Sequence, residues 1–309
     1  MNSDIKQYGG CLPDKRDGRD YNALELMGDI SVVKIPSFQE GYSLRRAYWP
    51  DMPYTNQGGT FACVAHAWTQ YKELLQLKDT NEKTILSPKS IYNAIAIPGK
   101  GSYIRDGGMR TVNYGVNKEI SVPTDSNELL ITESFNFTPE LIQEAAFYKN
   151  RIVASVDTQN FDILAKLIVM NDGIVSGWGS HAVWFDEYGV QNGKRYLKTP
   201  NSYGPGQDLY YFEDGPEKLF SIWTAVDVKN MKPKTDKLRL IRAKGEKTVW
   251  FLLNGKRYHV LNPGMMNDGL AEGIWGGFAE VEELSPEEVQ MYLLIRIPLS
   301  DFLATRFAK

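Results

Sequence analysis

The chain has 309 residues, and 35 lysines and arginines nearly balance 38 aspartates and glutamates, giving a net charge of −3. That balance argues against a nucleic-acid binder that works by wholesale neutralisation of phosphates. Hydrophobic residues make up 42% and charged residues 24%, which is ordinary for a globular protein with a full core and excludes general disorder.

The composition also bears on the compartment. No stretch approaches the run of about 18 apolar residues that a membrane span needs, and the first residues lack the apolar core of a secretory signal. Two cysteines cannot form a disulfide framework, so a reducing compartment is expected. We therefore expect a cytoplasmic protein, either free or attached to a larger assembly.

The first part of the chain predicts an arm followed by helices. Residues 1–45 are rich in turn formers and charges and predict an extended, irregular arm. Apolar residues at three- and four-residue spacing predict a helix over 62–77. Ser87 followed by Pro88 predicts the start of a second helix. Three further helices are predicted over 108–114, 139–149 and 161–170.

From Gly173 onward the sequence is typical of strands, with short β-rich runs separated by Gly or Asn turns. Helices followed by strands predict an α+β domain over 46–229. The predicted strands cover 174–178, 182–185, 195–198, 209–212 and 222–228.

The end of the chain predicts a small separate α+β module over 235–309. An Asn-Gly pair between β-type runs predicts a hairpin over 249–261 with a type I′ turn, and a capping box at 285–288 predicts a short helix. The aromatic residues of this module indicate a small core or, less strongly, an exposed docking patch. Docking to a larger assembly is therefore one expected role of this module.

Cys63 is the more informative of the two cysteines because it lies at the first turn of a predicted helix, after a Gly-rich turn. The helix dipole and the free backbone N–H groups there favour a thiolate and lower the thiol pKa. The carboxamide of Gln57 and the N–H of Cys63 would give two donors for a developing oxyanion. A buried structural cysteine is the alternative.

His181 stands at the entry to a strand, and Asn201 follows twenty residues later. A general base needs a partner that holds its tautomer, and an amide oxygen can accept from the ring N–H. Gln, Cys, His and Asn are therefore chemically complete for acyl transfer, although a lone histidine before a strand is more often structural.

Several short runs resemble the papain-like cysteine peptidase family. Residues 57–65 (Gln-Gly-Gly-Thr-Phe-Ala-Cys-Val-Ala) resemble its signature, in which Gln precedes the nucleophile by six positions. The runs His-Ala-Val at 181–183 and Asn-Ser-Tyr-Gly at 201–204 are similar to its His-Ala-Val and Asn-Ser-Trp-Gly. Further similar runs, in part typical of its prokaryotic branch, are at 12–14, 19–21, 86–88, 104–108 and 113–116.

The resemblance covers about residues 10–228 and implies a two-lobed α+β fold, with a helical lobe carrying the cysteine and a β-barrel-like lobe carrying the histidine and asparagine. It implies that Cys63 is the nucleophile, that His181 is its base, and that Asn201 orients His181. Gln57 would complete the oxyanion hole. An extended protein or peptide substrate would bind at Gly107, Gly108 and Ser180.

The implied reaction is endopeptidase hydrolysis of peptide bonds through a thioester, without a cofactor or a metal. Metal-ligand spacing is absent from the sequence, as is a phosphate-cradling glycine loop.

Some positions depart from the family pattern. Thr60 replaces a disulfide cysteine, while Val64 and Tyr203 replace two tryptophans near the catalytic groups. The short segment 173–181 leaves the cleft wall undefined, and the arm could cover the cleft. Two other functions therefore stay open: an amidase or acyl-transfer enzyme acting on a cell-wall peptide, and a papain-fold scaffold or binding protein without turnover.

The remaining histidines and the second cysteine are weaker candidates. His66 lies near a helix start, where the dipole opposes an imidazolium, so core packing is favoured over catalysis. His259 is expected to be structural or solvated in the hairpin. Cys11 is expected to be a free thiol, and a regulatory disulfide with Cys63 is the less favoured alternative.

Overall fold

The computed structural model describes residues 9–226 except positions 16 and 19, and then residues 239–245, 249–253, 256–260, 281–284 and 293–295. The chain divides into two compact units, Met1–Lys232 and Pro233–Lys309. The predicted domain limits of 1–45, 46–229 and 235–309 stay predictions.

Helices and strands alternate irregularly along the described residues. In chain order they are β1 (Cys11–Leu12), α1 (Ala23–Met27), β2 (Tyr42–Ser43), α2 (Leu44–Tyr48), α3 (Cys63–Thr80), α4 (Pro88–Ile95), β3 (Ser102–Tyr103), α5 (Ile104–Asn113), α6 (Glu128–Thr132), α7 (Pro139–Phe147), β4 (Val153–Ser155), α8 (Phe161–Asn171), β5 (Ile174–Trp178), β6 (His181–Phe185), β7 (Glu187–Gln191), β8 (Lys194–Thr199), β9 (Leu209–Phe212), β10 (Leu219–Ala225), β11 (Arg239–Ala243), β12 (Val249–Leu253), β13 (Lys256–Val260), β14 (Val281–Leu284) and β15 (Leu293–Ile295).

Local chemistry sets the limits of the predicted helices. The Ser87 hydroxyl accepts from the Ser90 N–H at the start of α4, which has Pro88 in its first turn, as the sequence predicts. Helix α3 ends at Thr80, and the residue that caps it, Asn81, is left-handed with a φ of 60°. Its first turn has no side-chain cap, so its N–H groups are left for other acceptors.

Eight of the ten described strands of the first unit form two open four-stranded sheets, in the orders β4-β10-β5-β6 and β2-β7-β8-β9, with antiparallel neighbours, and β1 and β3 form a separate parallel pair. The α+β class is therefore confirmed. The expected β-barrel-like lobe is corrected to two separate sheets.

Buried aromatic rings hold α3 against β6. The Tyr71 ring stacks on Trp68 at 5.8 Å and on Trp184 of β6 at 6.1 Å between centroids. The indole N–H of Trp68 donates to the Ile104 carbonyl at 2.9 Å. This column fixes the helix that begins with Cys63 against the strand that begins with His181.

Two elements differ from the sequence prediction for tertiary reasons. Helix α5 starts four residues early and includes Gly107 and Gly108, which lie against the Trp68 indole: a Cβ on Gly107 would be 2.6 Å from its Cδ1. Strand β7 was not predicted. It pairs with β8 through a turn at Asn192 and Gly193, both at positive φ, as a type I′ hairpin requires.

The described residues between 9 and 45 are more ordered than expected. Helix α1 forms there and α2 begins there, and Asn22 and Ser43 cap their first turns. Leu44 is fully buried. Short β1 pairs in parallel with β3, far along the chain. The expectation of an irregular segment is therefore wrong for these stretches.

The second unit contains one sheet in the order β14-β11-β12-β13-β15. Strands β12 and β13 pair antiparallel with Leu253 opposite Lys256, in agreement with the predicted hairpin, and His259 lies in β13. The predicted turn at 254–255 and the capping box at 285–288 lie outside the described residues.

None of the described helices has the length and apolar character that crossing a bilayer demands.

Candidate active site

The start of α3 places Cys63 beside strand β6 and the N-terminal arm. Cys63 is its first residue and is 0% exposed. Its sulfur accepts backbone hydrogen bonds from Ala182 on β6, from Gly10 on the arm and from Val64. The sulfur therefore lies beside the residue that follows His181.

Burial dominates the chemistry of this thiol. It raises the pKa of Cys63 to about 11, although the surrounding backbone N–H groups act to lower that pKa. The lowered pKa expected from the sequence is therefore wrong for this state, because loss of hydration destabilises the thiolate more than the N–H donors stabilise it.

His181 and Asn201 are brought together as the sequence predicts. His181 Nε2 lies 2.8 Å from Asn201 Oδ1, which also accepts the Ser202 N–H at 2.8 Å. The Ser202 bond fixes which amide atom is oxygen, so His181 Nε2 must carry the proton and Nδ1 is the acceptor nitrogen. Burial lowers the pKa of His181 to about 4, while the Asn201 hydrogen bond acts to raise it. The imidazole is thus neutral at neutral pH and able to accept a proton.

Tyr203 covers this pair. Its ring stacks on the His181 ring at 4.9 Å with an interplanar angle of 15°, and its hydroxyl lies 3.5 Å from His181 Nδ1. The tyrosine thus shields the histidine from water, so the departure from the family's tryptophan retains an aromatic cover.

Gln57 is fully buried and held at both ends of its amide. Its Nε2 donates to the Thr60 carbonyl at 2.8 Å, and its Oε1 accepts from the Ser202 hydroxyl at 2.5 Å. One Nε2 proton remains beyond the Thr60 bond. Sequence reasoning missed Ser202, which holds Asn201 through its N–H and Gln57 through its hydroxyl. Its place directly after Asn201 was the available signal.

The N-terminal arm lies over the sulfur. The Cys11 N–H donates to the Ser180 carbonyl at 3.0 Å, and the Gly10 carbonyl accepts from the Ser102 N–H at 2.8 Å. Only glycine fits at position 10 of the arm, since a Cβ on Gly10 would lie 2.1 Å from the Phe61 carbonyl oxygen. An extended backbone therefore already fills the space beside Cys63.

The residues predicted to bind substrate separate into two groups. Ser180 is at the site, where its carbonyl holds the arm. Gly107 and Gly108 are buried inside α5 against Trp68, and their role in substrate binding stays a prediction. On its other side the arm backbone pairs with β3, where Cys11 lies opposite Ser102.

Charged groups fasten the arm farther along. Both carboxylate oxygens of Asp14 accept the Arg105 N–H at 3.2 Å, and one accepts the Trp223 indole N–H at 2.7 Å. The Arg105 guanidinium pairs with Asp20 at 2.8 Å and with Asp17 at 3.2 Å. Burial raises the pKa of Asp14 to about 6.

The weaker candidates lie away from the chemistry or are covered. His66 is buried, neither ring nitrogen has a hydrogen-bond partner among the described residues, and burial lowers its pKa to about 3. The burial of His66 agrees with a packing role in the core.

Cys11 and Cys63 are both free thiols, and burial raises the pKa of Cys11 as well. Within the described ranges no group of three or more His, Cys, Asp or Glu side chains could hold a metal ion.

Several solved structures with the same architecture are cysteine proteases. Xylellain, a cysteine protease from Xylella fastidiosa, matches 72% of this chain and 97% of its own, with 21% identity and a TM-score of 0.53. Procathepsin B S9 from Trypanosoma congolense matches 72% and 86%, with 12% identity and a TM-score of 0.55. Procathepsin L2 from the larval midgut of Tenebrio molitor matches 69% and 74%, with 17% identity and a TM-score of 0.54.

The chain therefore has the papain-like fold. No protein-family model matches it, and neither does any curated protein sequence.

Proposed function

We propose that the protein is a cysteine endopeptidase of the papain type that hydrolyses peptide bonds in proteins or peptides. The observation that carries the proposal is the His181–Asn201 hydrogen bond beside a helix-start sulfur that accepts the Ala182 N–H. The Asn201 oxygen holds the histidine in the tautomer that a base for this thiol needs.

The chemistry begins once the arm leaves and a substrate carbonyl enters. His181 Nδ1 takes the proton of Cys63, and the sulfur attacks the carbonyl carbon to form a tetrahedral oxyanion. The Cys63 N–H and the remaining Gln57 Nε2 proton stabilise that oxyanion. His181 then gives its proton to the leaving amine, and a water activated by His181 hydrolyses the thioester to regenerate the thiol.

The path of the arm supports an extended substrate. Main-chain groups of Ser102 and Ser180 bind the arm backbone without using its side chains. Backbone pairing gives affinity with little dependence on sequence. We assign Ser102 and Ser180 as the residues that hold the substrate backbone.

Hydrolysis of a diverse fluorogenic peptide library by a chain lacking residues 1–12 tests the proposal. Cys63→Ala should abolish hydrolysis, while full-length Cys11→Ser should match the full-length wild type. An epoxide thiol inhibitor should label Cys63. Full activity in the Cys63→Ala variant would overturn the assignment.

The covered, high-pKa thiol also favours a second candidate, a papain-fold binding protein without turnover. The same truncated chain separates the two. If it hydrolyses no peptide and its Cys63 resists the epoxide although the fold is intact, the binding protein is favoured.

A further inference from the structure

A cavity outside the candidate active site lies at the end of α3 that is remote from Cys63. Its volume is about 310 Å³, and none of the site residues described above lines it. Its walls are the last turns of α3, the connection before β4, the end of α8 and the end of β10. Its charged lining residues are Lys72, Lys78, Lys149, Arg151, Asp79 and Asp172.

Lys72 is the unusual member of this set. The residue as a whole is only 4% exposed, and its side chain lines the cavity without an ion pair or hydrogen bond to any described residue. Burying an ammonium group without a counter-charge is unfavourable. Burial lowers the pKa of Lys72 to about 8, with Asp79 acting to raise it and Arg151 to lower it. The side chain is therefore still mainly protonated at neutral pH, and Asp79 is the carboxylate whose charge acts on it.

The other charges leave this excess uncompensated. Lys78 is paired with Asp172 and lies over the Tyr48 ring. Lys149 and Arg151 are exposed at the cavity, and neither has a carboxylate within ion-pair distance among the described residues. The four cationic and two carboxylate side chains give the cavity lining a formal net charge of +2, whereas the whole chain has a net charge of −3.

We propose that this cavity binds a small oxyanion of the phosphate or sulfate class, with Lys72 as the buried contact and Arg151 and Lys149 as the outer contacts. A guanidinium and two ammonium groups supply charge-assisted hydrogen bonds to such oxygens. A bound anion would offset the net positive charge that Asp79 and Asp172 leave in the lining. This site does not depend on the peptidase assignment.

Isothermal titration calorimetry of the full chain with inorganic phosphate in a chloride background tests the site. One phosphate should bind, and Lys72→Met or Arg151→Ala should each weaken binding by about tenfold or more, as expected for a lost charged hydrogen bond. Lys218→Met, an exposed lysine outside the cavity, is the matched control and should bind as the wild type does. Absence of binding, or equal binding by Lys72→Met, would overturn the proposal.

Thermal unfolding gives a second readout with opposite signs. Without phosphate, Lys72→Met should melt higher than the wild type, because methionine removes a partly desolvated charge from a lining with excess positive charge while filling similar space. With phosphate, the wild type should gain stability while the variant should not. A phosphate-induced shift of the same size in both proteins contradicts the site.

The pH dependence of sulfate binding isolates the lysine, since sulfate keeps its charge across this range. An anion raises the pKa of Lys72, so binding should be tightest below the free pKa of about 8 and weaken as pH rises through it. The groups that face Lys72 are Asp79 and Lys78 on α3, Arg151 and Lys149 before β4, and Asp172 after α8. A flat profile in the wild type contradicts Lys72 as the contact.

Discussion

At Cys63, two physical effects act on one sulfur atom, and their balance decides whether the protein is reactive. Backbone N–H groups favour the thiolate, but complete burial removes the water that a thiolate requires, and burial prevails. Part of that burial comes from the arm, because the Gly10 N–H is one of the sulfur's neighbours. The reactivity of Cys63 is therefore a property of the arm as much as of the helix start.

The first prediction concerns the pH profile of Cys63 alkylation. In full-length Cys11→Ser, which has a single thiol, the iodoacetamide rate should rise only as pH approaches about 11, since the thiolate is the reactive form. Removal of residues 1–12 should shift the inflection to lower pH, because water then reaches the sulfur. Equal inflections in the two proteins would show that the arm does not control the thiol.

The second prediction concerns the orientation of Gln57. If its free Nε2 proton stabilises the oxyanion, Gln57→Ala should lower kcat by about 100-fold with little change in KM. Ser202→Ala removes only the hydroxyl that fixes the amide, so we expect a smaller loss of kcat in the same direction. A change confined to KM in both variants would mean that Gln57 supports binding instead. Steady-state kinetics on a chain lacking residues 1–12 provide the measurement.

At the scale of elements, strand β1 of the arm pairs in parallel with β3, and this pairing places Gly10 against Phe61, just before α3. Two glycines offer a matched test of this arrangement. A Cβ on Gly10 would lie 2.1 Å from the Phe61 carbonyl oxygen, whereas a Cβ on Gly18 would meet nothing within 4 Å. Both glycines belong to the same segment, so only the first substitution should disturb docking.

The third prediction is that Gly10→Ala displaces the arm and raises kcat/KM on a short peptide in the full chain, while Gly18→Ala leaves kcat/KM unchanged. Amide hydrogen exchange at Cys11, whose N–H donates to Ser180, should speed up in Gly10→Ala alone. If exchange accelerates but kcat/KM stays constant, the arm is not inhibitory.

Much of the fold could be predicted because local signals decide it. Ser87 and Pro88 mark the start of α4 without help from the rest of the chain. The start of α5 could not be predicted, because two glycines disfavour a helix until the Trp68 ring packs on them. The pairing of β1 with β3 joins segments about ninety positions apart, and no local pattern encodes such a contact.

The candidate site shows the same division. The order of Gln57, Cys63, His181 and Asn201 could be predicted because each lies in a short run with a recognisable neighbourhood. The hydrogen bond between His181 and Asn201 agrees with that order. The thiol pKa could not be predicted, because it depends on burial by a segment far away in sequence.

At the scale of the whole molecule, the boundary between the two compact units lies between Lys232 and Pro233 in the sequence. Every residue assigned here to peptide hydrolysis lies in the first unit, as do the arm and the strand that it pairs with. The second unit contains its own five-stranded sheet. We therefore expect the proposed hydrolysis to need only the first unit.

The fourth prediction separates chemistry from recruitment. A chain ending at Lys232 should hydrolyse a short peptide with kcat/KM within about twofold of the full chain, both without residues 1–12, because surface changes remote from a site have small effects. If residues 235–309 dock the protein to a larger assembly, the same truncation should lower the rate on substrate held in that assembly while leaving the short peptide unaffected. Circular dichroism of the shortened chain is the control for folding. A folded but inactive shortened chain would show that the second unit takes part in building the site.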